Sequence, residues 1–217
     1  ISGFQPLDGG RILLNGHDLS HLSAAQRARH GLGRTFQGGR LFSGLTVAET
    51  VAVSLDRSVA VKDPINAALR LPAAHDSELA IGRRVRQLLE LFGLMDYRDS
   101  FTAELSTGTR RIVELACVVG HQPSVLLLDE PAGGVAQKEV EQLGALLGRI
   151  RSELGCAMLV IEHDMPLVAG LADRLVALET GAVIAEGAPT DVLADPRVIA
   201  SYLGDDHLAV ARSGHTN

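Results

Sequence analysis

The chain has 217 residues, 46% of them hydrophobic and 21% charged, and its 20 basic side chains against 26 acidic ones leave a formal charge of −6. This is the composition of a folded globular protein, and the acidic balance argues against sequence-independent nucleic-acid binding. There is no apolar run of about 18 residues and no basic segment followed by a greasy one at the N-terminus, so neither a membrane span nor a signal peptide is expected, and the chain reads as soluble and cytosolic. With five Phe, two Tyr and no Trp, the core must be built from Leu, Val, Ile and Ala. Cys117 and Cys156 sit inside apolar periodic segments and form no pair motif, which favours reduced core thiols over a disulfide or zinc site.

In chain order, a turn at Pro6 to Gly10 leads to an alternating run, Arg11 to Asn15, that predicts a strand. A helix is expected around Ala24 to His30, then a short strand from Gly33 to Phe36 that delivers Gln37 at its carboxyl end, and then a Gly-rich loop, Gly38 to Gly44. Thr46 and Glu49 have the spacing of a capping box, so a helix should begin at Val47. From there to Val119 the spacing is helical: Ile81, Val85, Leu88, Leu89 and Phe92 recur and stop at Gly93, and Ile112, Leu115, Ala116 and Val119 mark another amphipathic helix. This block reads as a helical lobe inserted into an α/β unit.

Past Pro123, buried strands alternate with helices: strand Val125 to Leu128, helix Gln137 to Glu153, strand Ala157 to Ile161 and helix Met165 to Leu171. Such a pattern predicts a parallel sheet covered on both faces. A hairpin, Arg174 to Leu178 and Ala182 to Glu186, should turn at Thr180 and Gly181, before short helices at Pro189 to Leu193 and Arg197 to Leu203 and a polar tail. The expected divisions are 1–46, the helical lobe 47–119, the α/β core 120–203 and the tail 204–217.

Ligands of open parallel sheets bind beyond the carboxyl ends of the strands, and three polar groups stand there: Gln37, the pair Asp129 and Glu130, and His163. Each alone is more simply a cap or a satisfied loop residue; their convergence on one edge favours a site. In VLLLDEP, four apolar residues bury the strand and place Asp129 where a carboxylate can hold Mg2+, directly or through water. Glu130, on the other side of the strand, can polarise a water, while His163 can hydrogen-bond a terminal phosphate and Gln37 can orient metal or water. The segment LSTG, Leu105 to Gly108, opens the helix that contains Ile112, and its free amides suit a phosphate. An ordinary Ser cap is the plainer reading of Ser106. The chain's two lysines, Lys62 and Lys138, do not occur in a G-x-x-x-x-G-K-[ST] setting, so these residues hold no Walker A loop.

The order Gln37, LSTG, VLLLDEP and IEHD (161 to 164), with 23 residues from Ser106 to Asp129 and 34 more to His163, resembles the nucleotide-binding domain of ATP-binding-cassette (ABC) transporters. More narrowly, GRTFQ with RLFSGLTVAET, and the ending GAVIAEGAPTDVLADPRVIASYLG, resemble the ATPase subunits of branched-chain amino acid importers. The resemblance implies an α/β P-loop NTPase (RecA-like) core with an inserted helical subdomain, here without its first strands and Walker A loop, as in a fragment. Gln37 would be the Q-loop glutamine and a metal neighbour, and Ser106 and Gly108 the signature residues that face ATP bound to a partner subunit. Asp129 would be the Walker B aspartate on Mg2+, Glu130 the catalytic base and His163 the switch histidine. Thr109 stands where the family usually has a signature glutamine, and Ala136 where it usually has Asp or Asn.

The implied activity is transport-coupled ATP hydrolysis by a subunit lying peripherally on the cytoplasmic face of the plasma (inner) membrane. Its partners would be transmembrane permease subunits, a second ATPase subunit in a homo- or heterodimer and, indirectly, an extracytoplasmic substrate-binding protein, with no nucleic acid. The alternatives are a non-catalytic cassette that assembles with an intact partner, which the absent Walker A loop favours and Glu130 and His163 oppose, and a soluble non-transport cassette protein, which would be expected to carry tandem cassettes or a coiled-coil insertion.

Overall fold

The computed structural model describes residues 1–36, 41–55 and 72–201, with the main chain alone at 72–77 and 137. The chain forms two compact units, Ile1–Glu162 and His163–Asn217. Gln37 lies outside the described residues.

The first unit opens with a small antiparallel hairpin, β1 (Leu13–Leu14) on β2 (His17–Asp18). Its turn, Asn15 and Gly16, has positive φ at both residues, the geometry that suits the twist of a two-residue hairpin. Helix α1 (Ala24–Arg29) starts at a reciprocal capping box between Ser23 and Gln26. Arg27 on this helix is buried and donates to the carbonyls of Leu22 at 2.8 Å and Ser20 at 2.9 Å, so its charge is satisfied by main chain.

Three parallel strands form the sheet in the order β3 (Leu32–Arg34), β4 (Val125–Asp129), β5 (Ala157–Ile161). In register, Arg34 faces Leu127 and Asp129 faces Ile161. Strand β3 is shorter than Gly33 to Phe36: the ladder to β4 ends with Thr35 donating to the Leu127 carbonyl at 3.1 Å. Beyond it, the main chain of Phe36 bonds to side chains instead.

Between β3 and β4 lie α2 (Val47–Ser54), α3 (Pro72–Leu91) and α4 (Thr107–Val119), with α2 packed on both of the others. The Thr46 and Glu49 capping box is present and α2 begins at Val47. Helix α3 ends two residues before Gly93, whose φ of +65° favours glycine. Leu88, Leu89, Val113, Ala116 and Val119 are fully enclosed, so the periodic apolar positions are the core positions.

Helix α5 (Gln137–Leu154) crosses from β4 to β5 and ends at Gly155 in the left-handed conformation. Leu126 and Leu128 of β4 are buried, as are Leu147 and Ile150 of α5. The expectation of a sheet covered on both faces fails at β5: its residues alternate, and Leu159 and Ile161 are 46% and 60% exposed. Both cysteines are free, Cys156 buried and Cys117 half-buried.

The second unit contains α6 (Met165–Leu171), the antiparallel hairpin β6 (Leu175–Glu179) and β7 (Ala182–Gly187), and α7 (Pro189–Leu193) packed on all three. Thr180 and Gly181 make the hairpin turn with φ of +49° and +83°. Residues 196–201 are helical.

Candidate functional site

Asp129 is the last residue of β4, held in the ladder opposite Ile161. Its Oδ2 lies 3.4 Å from Arg34 Nη2, an ion pair in which each side chain is about one-third exposed. Arg34 is held from several sides: Nη1 donates to Ser2 Oγ, and the guanidinium lies 5.9 Å from the Phe4 ring centre and 5.3 Å from that of Phe36. The two rings meet edge to face at 5.3 Å. Planar guanidinium groups favour such aromatic neighbours, and the stacking fixes which way the fork points.

Glu130 does not continue the strand alternation that the sequence implies. Its φ is +46°, so the chain leaves the sheet in the left-handed region while its N–H still donates to the Ile161 carbonyl at 2.9 Å. Its carbonyl accepts from Gly133, and the Glu162 carboxylate, at the end of β5, accepts from Ala132 N–H at 2.7 Å. A strained, over-determined residue just past a strand end is a common feature of functional loops.

A third carboxylate closes the other side of Phe36. Glu114, buried on α4, accepts from the Phe36 N–H at 2.8 Å, and Arg111, one turn earlier, donates to the Phe36 carbonyl at 3.3 Å. Burial raises the Glu114 carboxyl above its ordinary range, opposed by the Phe36 bond and by the Arg111 charge. These groups border a cavity of about 770 Å³ whose wall includes Phe36, Leu41, Phe42, Val53, Glu114 and Cys117. Burial pushes the Cys117 thiol up to about 11, so it stays protonated and unreactive at neutral pH.

At the start of α4, Ser106 is the N-cap: its Oγ accepts from Thr109 N–H at 3.1 Å and lies 3.0 Å from Thr109 Oγ1. The plainer cap reading is therefore present in the structure, with Thr109 contributing a hydroxyl to it. Gly108 is buried against the Glu139 carboxylate, where an added Cβ would come within 2.9 Å of Oε2. The same carboxylate accepts from Ala136 N–H at 3.3 Å, so Glu139 caps α5 where Ala136 offers no side-chain oxygen.

In the second unit, His163 is exposed and Asp164 is the N-cap of α6, its Oδ1 accepting from Leu167 N–H at 2.8 Å. The structure thus brings Asp129 and Glu130 together at one strand end and sets Gly108 beside Glu139. Sequence reasoning missed Arg34, Phe36, Arg111, Glu114 and Glu162. Two signals were available: an arginine at the end of a short strand, and a lone carboxylate in the apolar run RIVELACVV.

The family model for "ABC transporter" matches residues 1–133, and that for "Branched-chain amino acid ATP-binding cassette transporter" matches residues 182–208. The chain is 35% identical over 205 residues to the high-affinity branched-chain amino acid transport ATP-binding protein LivG of Escherichia coli K12, covering 94% of this chain and 80% of that one. The same figures hold for BraF of Pseudomonas aeruginosa. The methionine import ATP-binding protein MetN of Rhodopseudomonas palustris is 34% identical, over 91% of this chain and 49% of its own length. Among solved structures, MJ1267, an ATP-binding cassette of an ABC transporter, aligns with a TM-score of 0.76 at 26% identity, covering 93% of this chain and 80% of that one. CbiO1 from Clostridium perfringens, part of the transporter complex cbiONQ, aligns at 0.73 with 28% identity, covering 99% and 78%. In sequence and in fold the chain belongs to the ABC transporter family, as a transport ATPase with the P-loop NTPase fold.

Proposed function

We propose that this chain is the ATP-hydrolysing subunit of an importer for branched-chain amino acids, bound at the cytoplasmic face of the membrane to transmembrane permease subunits. The observation that carries the substrate class is the match of residues 182–208 to the branched-chain family together with the LivG and BraF relatives. No helix among the described residues is long and apolar enough to cross a membrane. The helical lobe 47–119 and the core 120–203 are the working divisions of the cassette.

The residues at the end of β4 fit a magnesium ion. Asp129 already balances a cation, its carboxylate is partly open, and Mg2+ takes one or two carboxylates with several waters. Asp129 would hold it, with Gln37 beside it, and the ion would neutralise charge developing on the nucleotide's β- and γ-phosphates. Glu130 takes the proton from the water that attacks the γ-phosphorus, and the water oxygen forms the new P–O bond as the bond to the leaving oxygen of ADP breaks. His163 donates a hydrogen bond to the terminal phosphate. Ser106 and Gly108 present the start of α4 to nucleotide held by a second ATPase subunit, of this or a related chain. The extracytoplasmic binding protein meets the permease and not this chain.

The test is made in the assembled transporter. Glu130→Gln keeps the shape but cannot act as a base, so hydrolysis should fall about 10²- to 10⁴-fold with ATP binding intact, and His163→Ala should fall in the same direction. Near-normal turnover in Glu130→Gln removes Glu130 from the role. Leucine uptake into proteoliposomes, lost with hydrolysis, tests the substrate class.

A further inference from the structure

The main chain of Phe36 is gripped from one helix on both of its polar groups. Glu114 and Arg111 stand three residues apart on α4, hence on one face, and take the N–H at 2.8 Å and the carbonyl at 3.3 Å. Among the described residues no strand partner continues the ladder beyond the Thr35 bond to Leu127. The residue so held presents its ring to the Arg34 guanidinium, which is paired with Asp129. The helix carrying Ser106 at its N-cap is therefore connected, through Phe36 and Arg34, to the carboxylate at the end of β4.

We infer that Glu114 and Arg111 are positioning residues: they hold Phe36 in place against Arg34 and so fix the orientation of the Asp129 carboxylate. The connection depends on placement and not on bulk. Phe36 is 46% exposed, so little packing holds it, and its part-buried N–H takes the buried Glu114 carboxylate as its acceptor. The proposal rests on the reading of Asp129 and Glu130 as the hydrolytic site, and it adds residues lying 78 and 75 positions from Phe36 in the chain.

The experiment compares Glu114→Ala, Glu114→Gln, Arg34→Ala and the Glu114→Ala/Arg34→Ala double variant in the assembled transporter. Amide hydrogen exchange at Phe36, steady-state kinetics and melting temperature are measured for each. Glu114→Ala should speed exchange at Phe36 and lower turnover about tenfold with KM for ATP unchanged, as outer-layer residues of metal sites commonly do. Glu114→Gln keeps a carbonyl acceptor in the same place, so both readouts should return to near the parent values. The double variant should be no slower than the slower single variant, because both act along one connection. Unchanged exchange at Phe36, a Gln variant as slow as the Ala variant, effects that multiply, or a loss that tracks a matched fall in melting temperature overturns the inference. Glu130→Gln is the internal control: if it abolishes hydrolysis while Glu114→Ala hydrolyses normally, the connection fails alone, and if it hydrolyses normally the site reading has failed.

Discussion

Glu114 shows how one residue can be costly and retained. Its carboxyl is raised by burial, and the Phe36 N–H and the Arg111 guanidinium recover only part of that cost. A carboxyl whose value is higher in the folded state favours folding most when protonated. Its contribution is complete below the ordinary carboxyl range and is lost as pH rises through the raised value. The other ionisable neighbours on the cavity wall, Arg34 and the protonated Cys117, do not reverse that sign. Glu114→Gln should therefore flatten the fall in stability as pH rises above the ordinary carboxyl range, and melt higher than the parent once the carboxyl has ionised. Parallel melting curves against pH for the two proteins contradict this. Residue-level reading of the sequence could place Asp129 and Glu130 at a strand end and Ser106 at a helix start, where the structure has them, because each sits at the end of a readable element. It did not reach Arg34 or Glu114, whose partners lie 95 and 78 positions away and whose significance exists only once the strands and helices are packed.

Elements were legible where their signals are local. The box at Thr46 and Glu49, the glycine at 93, and the Thr180 and Gly181 turn each fix a boundary with neighbours a few residues away. Strand β3 was less so, because where a strand ends depends on its partner's ladder. At the start of α4, Gly108 offers an element-scale test. Its conformation is helical, and the nearest atoms to an added Cβ belong to the flexible end of Glu139, so Gly108→Ala should be tolerated by the fold. The helix preference of alanine over glycine, smaller here in the first turn than in a helix interior, offsets the shift of the Glu139 cap, so the melting temperature should change little. ATP turnover should nonetheless fall, since the methyl group and the displaced carboxylate both intrude where the partner's nucleotide is expected. A lower melting temperature would mean that the glycine is there for packing.

The cavity beside α2 poses a second element-scale question. Phe42 and Val53 on its wall are 62% and 50% exposed, and Leu41 is half-buried. An apolar wall of this kind, next to the helical lobe, suits a short cytoplasmic helix of a permease. Leu45 is also half-buried, and its carbonyl is tied to Thr102 N–H. Polar substitutions at Leu41 and Phe42 should weaken permease assembly with little change in melting temperature. At Leu45 the expected change includes some stability. A matched loss of stability at all three positions contradicts docking.

On the scale of the whole molecule, the proposed roles divide into those on a nucleotide held in cis and those on one held in trans. Asp129, Glu130 and His163 are proposed for the first group, Ser106 and Gly108 for the second. The cis group is incomplete within these 217 residues, which contain no glycine-framed lysine and so no amide nest and ammonium for the β- and γ-phosphates. On their own they should bind MgATP very weakly and show no turnover, although they contain Glu130 and His163. The trans group needs only the start of α4, which is capped and ordered. Mixed with an intact partner subunit, the folded 217 residues should therefore complete at most one of two composite sites. Folding is the step to check first, because β5 presents Leu159 and Ile161 to solvent, a surface prone to association. Calorimetry with MgATP on the folded, monomeric chain decides the matter. Heats that stay small into the millimolar range agree with a phosphate site made elsewhere, whereas micromolar affinity would mean that these residues hold the phosphates by a route other than a lysine loop.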